Sequence, residues 1–341
     1  MIAKQACSGV LVIQPLPGIG DMVWHIPHLR AIARHEPEGR IHVLTKPRSL
    51  SDQLLASMPE VAEVLWVKRK PGPHDGLRGF FRLVSELRQK RFRKVWILHD
   101  SGRYALATWL AGIPNRTGFA SGWQRMLFTD PPIPPVPDTL HTVERADALL
   151  KGLGLEPTRP APLITPTAAS RAAILAQFAD CPRPWFALGI GSSEPFKQWG
   201  VDNFIALVTA LLERYGGTCF LLGGASEQAM AESIARQAGD VGRLVPLIQA
   251  PLQDVMALMG SAQLFVGNDT GMLNLSAACG TPSIGLFGHP VSAWVATSSP
   301  QIYPVYPDAG LSSAGINSIH PQAVLQRVHE LESKCGLETY R

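Results

Sequence analysis

Cysteine is scarce in this chain. Its five residues, Cys7, Cys181, Cys219, Cys279 and Cys335, are scattered, odd in number and form no Cys-x-x-Cys pair. That spacing argues against a zinc site or a disulfide framework and fits a reducing compartment. Long apolar runs are missing too. Nowhere do about 18 apolar residues follow one another, so no spanning helix is expected. The N-terminal apolar stretch at residues 10–13 is flanked by Pro15 and is too short for the apolar segment of a signal peptide. Charge of one sign is also in short supply. A net charge of +4 on 341 residues gives no footprint for nucleic acid as a partner. The chain has no Walker-type Gly-Lys-Ser/Thr loop, and no Asp-x-Asp pair falls on a plausible loop. A soluble cytoplasmic protein is expected, with any membrane contact peripheral.

What is present is a long alternation of strand and helix signals. Residues 9–14, 40–45, 64–67 and 94–98 are short apolar strand candidates. Helical patterns at 22–35, 49–58, 76–90 and 104–112 separate and follow them, and 115–119 is extended. This rhythm predicts a doubly wound parallel sheet. It breaks over 120–141, where Pro131, Pro132, Pro134, Pro135 and Pro137 cluster, and helices are expected at 142–153 and 168–179. The Pro-rich run at 181–184 marks the expected boundary, so the domains are read as 1–180 and 181–341. A second series follows, with strands at 185–189, 218–222, 264–266 and 283–287, helices at 201–215, 227–237 and 272–279, and a closing helix at 321–333. The class is α/β, two similar domains in tandem.

Three polar turns follow strands in the two series. In open α/β sheets such turns lie where ligands bind. The first, Gly18-Ile-Gly20-Asp21, fails as a dinucleotide fingerprint, because the third glycine of Gly-x-Gly-x-x-Gly falls on Val23 and Arg40 stands where a ribose-binding acid belongs. It leaves Asp21 at a helix start, either a helix-terminus carboxylate or a general base. The second runs from Gly189 through Ser192 and Ser193 to Lys197, Gln198 and Trp199. Hydroxyls, amides and one cation suit a diphosphate; a merely solvated lysine is the alternative. The third places Glu227 at a helix start, as a ribose ligand or a cap. A fourth stretch, Gly267-Asn-Asp269-Thr270-Gly271, opens the helix at 272–279, with Asp269 or Thr270 available as cap and phosphate attracted to the amides. The basic run of Arg88, Lys90, Arg91, Arg93 and Lys94 reads as a solvated helix terminus, with attraction to an anionic membrane surface as the second reading.

With Gly20-Asp21, Lys197-Gln-Trp199, Glu227 and Asp269-Thr-Gly271 in this order, the chain resembles glycosyltransferase family nine, the ADP-heptose:lipopolysaccharide heptosyltransferases and their relatives. The resemblance runs from Leu11 to the closing helix. It implies a GT-B fold: two Rossmann-like domains facing a central cleft, the first on the acceptor side and the second binding the nucleotide sugar, with the closing helix packing back on the first. It implies an inverting transfer that needs no metal or cofactor, from an ADP-sugar, heptose in the family, to an anionic glycolipid acceptor at the cytoplasmic face of the inner membrane. It assigns Asp21 as base and Lys197 as the cation on the leaving diphosphate. Ser192, Ser193, Glu227, Asp269, Thr270, Gly271 and Asn274 fall on the donor side, Gly20 and Arg116 on the acceptor side. One departure stands out: the family usually carries histidine where this chain has Asn274. An inactive nucleotide-sugar-binding relative and a nucleotide-sugar epimerase are the competing functions.

Overall fold

Val10–Ile13 is apolar and fully buried at every position, which requires cover on both faces of the strand and so a parallel sheet wrapped by helices. The computed structural model describes residues 9–130, 133, 137, 139–239, 242–289, 293–308, 310 and 315–339. In it the strand β1 (Val10–Ile13) leads to helix α1 (Ile19–His35), β2 (Ile41–Thr45), α2 (Ser51–Leu54), β3 (Val61–Trp66), α3 (Gly76–Lys90), β4 (Lys94–Ile97), α4 (Gly102–Leu110), β5 (Asn115–Thr117) and α5 (Thr142–Lys151). The five strands pair in parallel in the order β3-β2-β1-β4-β5.

The second series comprises α6 (Ala168–Gln177), β6 (Trp185–Gly189), α7 (Val201–Tyr215), β7 (Thr218–Gly223), α8 (Gln228–Gln237), β8 (Leu244–Ile248), α9 (Leu252–Met259), β9 (Leu264–Asn268), α10 (Gly271–Ala278), β10 (Ser283–Leu286), α11 (Ala293–Ala296), β11 (Ile302–Val305) and α12 (Pro321–Cys335). Its six parallel strands lie in the order β11-β10-β9-β6-β7-β8. Read from β8, this is the doubly wound order in which the winding reverses between β6 and β9, and between such strands a crevice opens at the carboxyl edge. In the first sheet the same reversal falls between β1 and β4.

The two compact units part between Arg159 and Pro160, earlier than the boundary expected near residue 180. The reason lies in the hydrogen bonds of the intervening segment. Leu163 and Ile164 donate to Ala278 O (2.7 and 3.0 Å) at the end of α10, and the Thr167 amide ahead of α6 donates to Gln253 Oε1 in α9 (2.7 Å). The buried stripe of α12, Val324, Val328, Leu331 and Cys335, belongs to the core that β6, β9 and α7 form in the second unit. The basic run is largely neutralised: Lys90 meets Glu63 (2.7 Å), Arg93 meets Glu36 and Glu38 (2.9 and 2.5 Å), and Arg88 donates to Leu110 O (2.5 Å). No described helix is long and apolar enough to cross a membrane.

Candidate active site

In the first unit the winding reversal holds Asp21. The helix α1 begins at Ile19, three residues earlier than the turn-like Gly18-Ile-Gly20 suggests, so Asp21 is the third residue of the helix and Gly20 is buried inside its first turn. The Asp21 side chain reaches back, and Oδ2 accepts the Gly18 amide (2.8 Å). This satisfies one of the helix's orphan donors and aims the carboxylate along the sheet's edge. A methyl group at position 18 would stand 2.8 Å from that oxygen, so a side chain there would displace the carboxylate from this position.

Burial raises the Asp21 pKa above the ordinary carboxyl value; the Gly18 amide, His141, Lys46 and Arg48 oppose the rise. Beneath it, Gln14, the residue after β1, ties down the turn. Its Oε1 accepts the Leu16 amide (3.1 Å), and its Nε2 lies 3.4 Å from Asp21 O. His25 Nδ1 sits 2.6 Å from the same carbonyl, which fixes the Nδ1–H tautomer. Complete burial, then the neighbouring His28, drives the His25 pKa down to about 3. His141, whose ring meets Trp24 edge-on at 5.0 Å, brings a further imidazole to the neighbourhood of Asp21. Gln14, His25 and His141 were not singled out in the sequence.

Arg116 is engaged locally. Its Nε donates to Leu127 O (2.5 Å), and Nη1 donates to Ile113 O and to Pro114 O (3.2 Å). The guanidinium therefore clamps its own loop on the sheet's far edge at β5.

The second unit brings the other named residues to the reversal between β6 and β9. Lys197, in the short turn Pro195–Lys197, points its ammonium at Asp269 Oδ2, 2.7 Å away, with Glu194 Oε2 at 3.8 Å. Asp269 is only 4% exposed, Lys197 21%. Each residue of Lys197-Gln198-Trp199 has a separate task. The Trp199 indole donates to Ile319 O (2.8 Å) and Gln198 Nε2 to Ile190 O (3.1 Å), so these two pin the loop and leave the lysine directed at the crevice.

Asn268, the last residue of β9 and fully buried, completes this frame. Its Nδ2 faces Ile190 O and Gly191 O (both 3.1 Å) and Gln198 Oε1 (3.3 Å), tying β9 to the loop that carries Lys197. Three acceptors around one amide nitrogen fix its orientation. On the loop's other side, Gly315 (φ +81) packs against Phe196: a Cβ there would lie 2.6 Å from Phe196 O. Gly288, which closes the sequence stretch, sits against Gly315 for the same reason, with a built Cβ 2.5 Å from its carbonyl carbon.

Glu227 lies beside this loop. Its Oε2 accepts the Gly224 amide and its Oε1 the Ser226 hydroxyl, both at 2.8 Å. A Cβ at Gly191 would stand 3.1 Å from its carboxyl carbon, so glycine lets the carboxylate close over the β6 turn. The Ser192 hydroxyl is engaged locally, donating to Glu194 O (2.9 Å) and accepting the Glu194 amide (3.1 Å), while Ser193 is exposed. Thr270 is the N-cap of α10 with extended backbone, and its side chain makes no capping bond; Gly271 is the first helical residue. The Thr270 hydroxyl cap is not formed, and the first amides of a helix have no partners within it. Asn274, one turn on and buried, donates back to Thr270 O (3.2 Å).

Two doubly wound units, each a parallel sheet with its own winding reversal, are the architecture of the GT-B class. The model of glycosyltransferase family 9 (heptosyltransferase) matches residues 80–302, and the chain belongs to that family. Lipopolysaccharide heptosyltransferase 2 of Salmonella typhimurium is 25% identical over 362 residues, covering 96% of this chain and 99% of its own. The Escherichia coli protein of the same name is 27% identical over 295 residues, 82% of each chain. The solved structure of E. coli ADP-heptose lps heptosyltransferase II superposes with a TM-score of 0.74 at 23% identity, over 96% of this chain and 99% of that one. This protein is a glycosyltransferase by family.

Proposed function

We propose that the chain transfers heptose from ADP-heptose to a sugar hydroxyl of the lipopolysaccharide core, with inversion at the anomeric carbon and without a metal. The observation that carries the reading is Lys197, held at the β6–β9 reversal beside the open amides of α10. An ammonium and helix-end amides together bind a diphosphate in the ground state and stabilise it more strongly as it leaves.

In this reading Asp21 Oδ1 takes the proton of the acceptor hydroxyl, Oδ2 being held by the Gly18 amide. The acceptor oxygen attacks the anomeric carbon from the face opposite the diphosphate. The carbon–oxygen bond to the β-phosphate breaks, and ADP departs with the electron pair. Burial raises the pKa of Asp21, which makes its carboxylate a better proton acceptor. Lys197 balances the charge on the departing phosphate, with Asp269 holding the ammonium in place. Glu227 receives the ribose hydroxyls with the lone pairs that Gly224 and Ser226 do not occupy. Asn274 stands beside the sugar as a neutral amide where the family usually has histidine. The acceptor is an anionic glycolipid, which places the reaction at the cytoplasmic face of the inner membrane.

Incubation with a panel of nucleotide sugars tests the proposal. ADP should be released from ADP-heptose only when a core acceptor is present, and EDTA should leave the rate unchanged. Binding without turnover would identify an inactive relative, isomerisation of the sugar an epimerase, and strict dependence on a divalent ion a different mechanism.

A further inference from the structure

The first unit exposes apolar side chains at one end. Leu77 and Phe81 are 73% and 55% exposed. One helical turn apart near the start of α3, they share a ridge. Trp123 and Met126, on the turn Gly122–Leu127, are 56% and 80% exposed. A chain of contacts joins the two pairs. Phe81 meets Phe80 edge-on (5.6 Å), the Arg103 guanidinium lies over Phe80 (5.0 Å), and Arg103 Nη2 donates to His74 O (2.9 Å) ahead of α3. Next to Arg103, Gly102 is covered by the Trp123 indole, which a Cβ there would approach to 2.6 Å.

Cations surround these residues. Lys68, Lys70, Arg78 and Arg125 are exposed, and among the described residues no acid stands within ion-pair distance of them. The nearby acids Asp75 and Glu86 already face Arg69 (3.7 Å) and Arg82 (3.2 Å). The segments that carry the patch leave β3 and β5 at their carboxyl ends. In a parallel sheet this is the edge at which Asp21 follows β1. The neutralised run at 88–94 lies at the other end of α3.

We propose that this face docks on an anionic lipid bilayer, with Leu77, Phe81, Trp123 and Met126 entering the interface and Lys68, Lys70, Arg78 and Arg125 facing the headgroups. Aromatic and aliphatic side chains ringed by unpaired cations have the composition that partitions into a negatively charged interface. The inference rests on the acceptor reading above, since it brings a lipid-borne acceptor to the edge that holds Asp21.

The test is co-sedimentation of the full chain with vesicles of phosphatidylglycerol and phosphatidylcholine, against phosphatidylcholine alone. Wild type should sediment with the anionic vesicles and not the neutral ones. The double variants L77S/F81S and W123S/M126S should each partition about tenfold less, and R78E/R125E should lose the preference for anionic lipid. All three should transfer to a delipidated, water-soluble core acceptor at the wild-type rate. Wild type remaining in the supernatant, or variants sedimenting like wild type, would overturn the assignment. So would self-association in sedimentation velocity that W123S/M126S abolishes, since a second copy would then occupy the patch. Vesicle binding without any transfer would remove the enzymatic reading alone, and transfer without vesicle binding the docking surface alone.

Discussion

Asn268 is the residue whose replacement tests most sharply how the donor loop is held. Its two amide hydrogens serve Ile190 O, Gly191 O and Gln198 Oε1, and the side chain is fully buried. In Asn268→Ala, Ile190 O keeps the bond from Gln198 Nε2 (3.1 Å), whereas Gly191 O loses the partner that Asn268 supplied. With about 1 kcal/mol for a net hydrogen bond and about 1–3 kcal/mol for a carbonyl left unpaired, the loss comes to roughly 2–4 kcal/mol. Part of it appears as a lower melting temperature and part as a displaced Lys197. ADP affinity by calorimetry should then fall roughly tenfold, equivalent to about 1.4 kcal/mol. Asn268→Asp should be worse than Asn268→Ala in both measurements. It sets a carboxylate against three acceptor oxygens and beside Asp269. If Asn268→Asp binds ADP and melts like wild type, the amide does not hold the loop and the argument for a framed Lys197 fails.

Lys197→Ala should weaken ADP binding and slow transfer together, by roughly 1.5–3 kcal/mol for the lost charge-assisted contact; unchanged affinity with an unchanged rate would remove Lys197 from the diphosphate. The same change removes the ammonium from a nearly buried Asp269, so its melting temperature should drop more than that of Lys197→Arg. His25 supplies a pH test of stability. Below the ordinary histidine value of about 6.5 the unfolded chain binds a proton that the folded chain refuses until about pH 3. Stability should therefore fall as pH drops through that window, by up to about 1.4 kcal/mol per unit. Denaturation midpoints of His25→Asn should fall less steeply, and an identical slope would show that His25 is not the group responsible. Asn274→His should reorder the donor preference in a competition among nucleotide sugars, because a bulkier ring replaces an amide at the sugar side; an unchanged ranking at two pH values would leave Asn274 a tolerated replacement.

Most of the scaffold was legible because its signals are local. The spans at 76–90, 185–189 and 201–215 follow from amphipathic or uniformly apolar runs closed by turn residues, and the structure reproduces them to the residue. The start of α1 was not legible. Gly18-Ile-Gly20 has the composition of a turn, yet the Asp21 side chain caps Gly18 and draws these residues into the helix. The domain boundary moved for a similar reason: the prolines at 181–184 mark a local break, but the carbonyls that bind 163–167 lie more than 80 residues downstream. Within the site, charged residues in strand–helix turns announced themselves, as Asp21, Lys197 and Asp269 did. Asn268 did not, since an asparagine at a strand end reads as a turn former and its role depends on partners 70 to 78 residues away. The local bonds of Arg116 were not legible either, since its guanidinium meets backbone carbonyls of residues 113, 114 and 127 rather than side chains.

The central claim is that Asp21 is the base of a sugar transfer whose donor is held elsewhere, and one variant separates those functions. Asp21→Asn keeps an oxygen for the Gly18 amide and so preserves the start of α1, but it cannot accept the acceptor's proton. Transfer from ADP-heptose to the core acceptor should fall about 10²- to 10⁴-fold, the usual cost of losing a general base, while ADP affinity by calorimetry stays at the wild-type value. A variant that retains more than half the wild-type turnover, or one that loses ADP binding along with activity, would contradict the assignment.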